Sequence, residues 1–146
     1  MDRTLANETV KKVGEKVKLY GWVEAIRDHG KITFLDLRDI TGIVQCVGQD
    51  LPKVTPESVV EVVGEVANRP ENLVNPNIDT GKVEIKIENI DILSPSESVF
   101  PISMDQDIEN ESDQPIRLDW RFLDLRHPKK RLIFQVWTTM EQGFRN

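Results

Sequence analysis

Three stretches of this chain alternate apolar and polar residues with a period of two, and with two further strand-like runs they fall between residues 15 and 93. That period is the mark of a β-strand with one buried face. In the first stretch, "EKVKLYGWVEAIRDHG" (15–30), Val17, Leu19, Gly21, Val23 and Ala25 share one face. A turn at "DHGK" leads into "KITFLDLRD" (31–39), and a second turn at "DITG" leads into "IVQCVG" (43–48). "KVTPES" (53–58) reads as the start of a short helix, with Thr55 as N-cap and Pro56 at the first helical position. The β-branched run "SVVEVVGEVANRP" (58–70) cuts that helix short and reads as a fourth strand. "ENLVNPNIDTG" (71–81) is a loop by its Asn, Pro and Gly content, and "KVEIKIENIDIL" (82–93) is a strongly alternating fifth strand.

Three strands in a meander, a short helix, then two strands is the order of the OB-fold. That all-β, five-stranded, partly open barrel binds oligonucleotides on its strand 2–3 face. Other small barrels share the order. The barrel is expected to occupy residues 1–94, followed by a linker and hinge over 95–127. From 128 to 146 an amphipathic helix is expected, with Pro128 near its start and Leu132, Ile133, Val136, Trp137, Met140 and Phe144 in its apolar stripe. The stripe runs on to the last residues without a C-cap, as in the first helix of a truncated larger domain.

Charge narrows the function. The net charge of −6 argues against generic electrostatic binding of nucleic acid, and no DNA partner is expected. Its distribution is uneven: residues 1–93 carry −4, residues 94–116 carry −6 with no basic group, and residues 117–146 carry +4. An RNA bound by the barrel must therefore be read locally, by shape or by base. With the lone Cys46 and only two histidines, His29 and His127, no intrachain disulfide, Cys-rich metal site or His-based triad is expected. No apolar run approaches the roughly 20 residues of a membrane span, and no signal-peptide core is present, so a soluble cytoplasmic protein is the expectation. There is no Gly-rich phosphate loop and no nucleophile–base pair, so no catalytic residue is assigned.

In the second strand, alternation places Leu35 and Leu37 toward the core and Phe34 among Asp36 and Arg38 on the other face. Phe34 admits two readings: partial burial under a loop, or a platform on which an unpaired base stacks. Gln45, one strand over, is either a solvated strand residue or an amide matched to the Watson–Crick edge of a splayed base. Glu84 alternates against Val83, Ile85 and Ile87 and should face outward. It is an ordinary surface carboxylate or an acceptor for an exocyclic amine. Arg27, beside the first turn, is a surface charge or a group that meets phosphate or base.

The pentapeptide FLDLR occurs twice, at 34–38 and at 122–126. The flanks differ, so this is not an internal repeat. The second copy lies in "RLDWRFLDLRHP" (117–128), where Leu123 and Leu125 anchor the segment and Asp124 and Arg126 are placed to pair or cap. Together with "GWVEAIRDHGKITFLDLRDITGIVQ" (21–45) and "VEIKIENIDILS" (83–94), this arginine-rich element resembles the N-terminal part of the aspartyl-tRNA synthetases, especially the archaeal type, within class IIb of the aminoacyl-tRNA synthetases. The eleven-residue spacing from Phe34 to Gln45 is that family's spacing.

The resemblance implies an OB-fold that binds the tRNA anticodon loop. The aromatic that stacks the central anticodon uridine falls on Phe34, and the glutamine that reads an anticodon base falls on Gln45. The carboxylate near the third base falls on Glu84, and the basic residue of the first turn falls on Arg27. It further implies an aspartate–tRNA ligase whose catalytic domain, using ATP and magnesium and forming a homodimer, lies beyond residue 146; no cofactor is expected in residues 1–146. Asparaginyl-tRNA synthetase is the nearest alternative within the family, and a form charging both tRNAs is another. From a different class, the alternative is a free-standing OB-fold module that binds single-stranded RNA or a protein.

Overall fold

A computed structural model of the chain describes residues 2–97, 100–102 and 112–145. The chain divides into two compact units, Met1–Ser98 and Val99–Asn146. In the first, the five strand-like stretches become five strands: β1 (Lys16–Asp28), β2 (Ile32–Arg38), β3 (Ile43–Gln49), β4 (Val59–Asn68) and β5 (Val83–Ser94). They close into a barrel in the order β1-β2-β3-β5-β4. All neighbours are antiparallel except β3 and β5, whose short parallel pairing at Cys46–Ile85 and Val47–Lys86 completes the ring.

The core is built from one face of each strand. Val17, Leu19, Val23, Leu35, Leu37, Val44, Val62, Val66 and Ile85 are fully buried there. Cys46 is buried among them, and burial pushes its thiol well above the ordinary range, so it carries no reactive thiolate. Two glycines allow strands to approach closely. A Cβ on Gly21 would run into the carbonyl oxygen of Arg38, and one on Gly64 into that of Lys86.

Two departures from simple alternation matter. The register of β1 against β2 shifts between Val23 and Ala25. This bulge reverses the parity of everything after it. Ala25, expected on the core face with Val17 and Val23, instead pairs with the outward-facing Asp36, and Ile26 packs against the core in its place. Arg27 therefore emerges beside Phe34 on the outer face.

The second departure is the short helix expected between the third and fourth strands, which does not form. Residues 55–58 make a turn. Thr55 donates its hydroxyl to the carbonyl of Ser96 (2.7 Å), which ties the turn to the segment after β5. Glu57 adopts φ 64°, a left-handed conformation that no helix interior accommodates. Its amide donates to the Val23 carbonyl (2.7 Å), and the Val23 amide returns to Ser58 (2.9 Å), so the turn is fastened to β1. Short 3₁₀ helices form elsewhere, at Ala6–Lys11 and Glu71–Leu73. The first belongs to the polar lead. It is tied down by the Ala6 amide on Asp39 Oδ2 (2.8 Å) and the Asn7 amide on Thr41 Oγ1 (3.2 Å).

In the second unit, α1 (Gln114–Asp119) and α2 (Arg121–Asp124) form within the stretch expected to serve as linker and hinge, and α3 (Pro128–Arg145) follows. The acidic run at 103–111 lies outside the described residues. Leu123 is buried, and Asp124 pairs with Lys130 and with Arg117 (3.5 Å), as the sequence suggests for this segment. The apolar stripe of α3, from Leu132 to Phe144, is exposed.

Candidate nucleic-acid interface

The outer faces of β1, β2, β3 and β5 carry a continuous polar row. Register sets it up: Arg27 lies opposite Phe34, Asp36 lies between Ala25 and Gln45, and β5 begins beside β3. Arg27 and Asp36 form a two-pronged pair, Nη1 donating to Oδ2 (2.7 Å) and Nη2 to Oδ1 (3.0 Å). The same Nη2 donates to Gln45 Oε1 (3.4 Å), and Gln45 Nε2 donates to Glu84 Oε2 (3.4 Å). Three of the four candidate residues, Arg27, Gln45 and Glu84, are thus joined in one chain of hydrogen bonds.

Phe34 stands at the edge of this row, half-buried on the same face as Asp36. The imidazole of His29, on the first turn, lies perpendicular to its ring with centroids 5.7 Å apart. Such a neighbour fixes the ring without stacking on it. Gln45 is 6% exposed although it faces away from the core, because Arg27 and Glu84 flank it. What the row offers chemically is an aromatic ring beside an amide, a guanidinium and a carboxylate. These groups stack on and hydrogen-bond to base edges. The row contains one positive and two negative side chains, so it is not a generic phosphate trap.

Three residues absent from the candidate set border the site. Alternation places Asp36 on the polar face, but its partnership with Arg27 depends on the bulge. His29 gives no aromatic-pair signal in the sequence. Arg69, two residues past Ala67 (the cross-strand partner of Glu84), has buried Nε and Nη1 atoms without a hydrogen-bond partner among the described residues. No local pattern marks it in the sequence.

Residues 17–93 match the tRNA_anti-codon model, an OB-fold nucleic acid binding domain. The chain belongs to this family. Over 142 residues it is 39% identical to an aspartate–tRNA(Asp/Asn) ligase of Bifidobacterium longum, a match that takes in 92% of this chain and 24% of the ligase. The chain thus spans about a quarter of the length of the curated relatives it matches. Among solved structures, an aspartyl-tRNA synthetase from Entamoeba histolytica superposes with a TM-score of 0.87 over 99% of this chain and 36% of its own; at 21% identity this shows the fold alone. An asparaginyl-tRNA synthetase from Pyrococcus horikoshii in complex with asparaginyl-adenylate, 28% identical, superposes with a TM-score of 0.77 over 99% of this chain and 33% of its own.

Proposed function

We propose that the barrel binds the anticodon loop of a tRNA on behalf of an aspartate–tRNA ligase. In this reading Phe34 stacks the central base, Gln45 and Arg27 hydrogen-bond to base edges, and Glu84 faces the third base. The observation that carries it is the placement of an outward aromatic ring beside the row Arg27–Gln45–Glu84, on the β2–β3 face of an OB barrel. A net acidic chain can bind RNA this way because a few unstacked bases are read at short range.

Among the described residues no group of three or more His, Cys, Asp or Glu could hold a metal ion, and the ligase reaction of this proposal uses magnesium and ATP. Both, together with dimer formation, belong in this proposal to the remainder of the ligase. The first two bases of the aspartate and asparagine anticodons, GUC and GUU, are the same, and Arg27, Phe34 and Gln45 serve either. Relatives named for both tRNAs favour a second reading in which the enzyme charges both.

Amide chemical-shift mapping tests the location. On titration with an RNA hairpin bearing GUC, the largest shifts are expected at Arg27, Phe34, Gln45 and Glu84. Shifts centred on the β1–β4 face, around Lys18, Tyr20 and Glu61, would contradict the proposal.

A further inference from the structure

A cation beside an RNA site ordinarily serves as a phosphate contact, and such contacts supply affinity without base information. Arg27 is placed differently. Asp36 takes a donor from each Nη atom at 2.7 and 3.0 Å and cancels the charge of the guanidinium. The Nη2 that remains in reach of β3 is directed at Gln45 Oε1.

That contact has a consequence for Gln45. An amide can be turned either way, and its neighbours decide. With a guanidinium donor on one side and the Glu84 carboxylate on the other, only Oε1 toward Arg27 and Nε2 toward Glu84 avoids opposing donor to donor and acceptor to acceptor. Gln45 presents a fixed donor–acceptor order only while Arg27 stays where Asp36 holds it.

We propose that Asp36 is a positioning residue for base discrimination. It withholds Arg27 from the phosphate backbone and, through Arg27, fixes the polarity of the Gln45 amide. The inference rests on the anticodon-reading proposal. The simpler role is a fastening of β1 to β2. The Arg27 side chain is 47% exposed and the Asp36 side chain 17%, so a fastening role would show in the melting temperature and is read separately below.

The test uses the 146-residue chain and RNA hairpins with a GUC loop or an unrelated loop, titrated between 50 and 200 mM monovalent salt. Asp36→Asn keeps the shape and removes the charge. It is expected to steepen the dependence of log affinity on log salt by about 0.7, the value for one added single-strand phosphate contact. The same change should tighten binding of the unrelated loop and reduce the preference for GUC by roughly tenfold. In an Arg27→Gln background, Asp36→Asn should change neither quantity.

Arg27→Lys is the second variant, because an ammonium cannot form the two-pronged pair. It should likewise steepen the salt dependence and lower the preference. A wild-type chain that prefers GUC, with both variants unchanged in salt slope and preference, would overturn the inference and leave the anticodon reading intact. The same shifts persisting in the Arg27→Gln background would also overturn it, since Asp36 would then not act through Arg27. A wild-type chain with no preference among loops removes the anticodon reading itself, and the inference with it. A mere fastening role would instead lower the melting temperature of the Asp36→Asn chain and leave its salt slope unchanged.

Discussion

Replacing Phe34 by alanine is expected to weaken binding of a GUC-bearing anticodon stem-loop by ~1–3 kcal/mol, a loss of roughly five- to 150-fold, while the barrel stays folded. The loss is large because a base stacked on an aromatic ring gives up that whole contact when the ring is removed. The barrel survives because Phe34 is half-buried on the outer face of β2 and is not part of the core cluster. Isothermal titration of the variant, with a thermal melt in parallel, checks both halves. Unfolding of Phe34→Ala would mean that the ring serves the core. Unchanged affinity in a folded variant would remove it from the site.

One residue further along the strand the expected result is the opposite. Leu35→Ala should destabilise the barrel by ~2–5 kcal/mol, because truncating a fully buried leucine removes its transfer free energy and leaves a cavity in a closed barrel that cannot collapse around it. Leu35 is 1% exposed and lies in register with Ile26 and Cys46, which also face the core. Urea denaturation measures the difference. A cost below about 1 kcal/mol would mean that the core repacks freely around this position, contrary to the packing of protein interiors. The two variants together separate the faces of a single strand.

Much of this was legible in the sequence because the signals are local. Period-two alternation marked three strands, β-branched composition and turn positions marked the other two, and the pattern of inward leucines placed Phe34 outward. What escaped is non-local. The bulge at Glu24 leaves no trace in the residue types around it, yet it decides on which face Arg27 emerges and therefore whether it can meet Asp36. Thr55 and Pro56 are sound helix-start residues. Their local preference lost to the clasp between Glu57 and β1, and the Thr55 hydroxyl ties the turn to Ser96, 41 residues away.

The two copies of FLDLR make the same point with identical letters. The first is strand β2, paired on both sides. In the second, Arg121–Asp124 is helical, with Leu123 buried and Asp124 tied to Arg117 and Lys130. Five residues do not fix a conformation when tertiary pairing is available to one copy and not to the other. The orphaned Arg69 atoms and the His29–Phe34 contact are likewise products of the folded arrangement, not of any spacing in the chain.

The central claim is that this barrel reads unpaired anticodon bases. Its most direct test is the affinity of the 146-residue chain for three RNA hairpins that share one stem and carry GUC, GUU or an unrelated triplet in the loop. The account predicts that GUC and GUU both bind more tightly than the unrelated loop, with any difference between GUC and GUU disappearing in Glu84→Gln. Equal affinity for all three hairpins would contradict it.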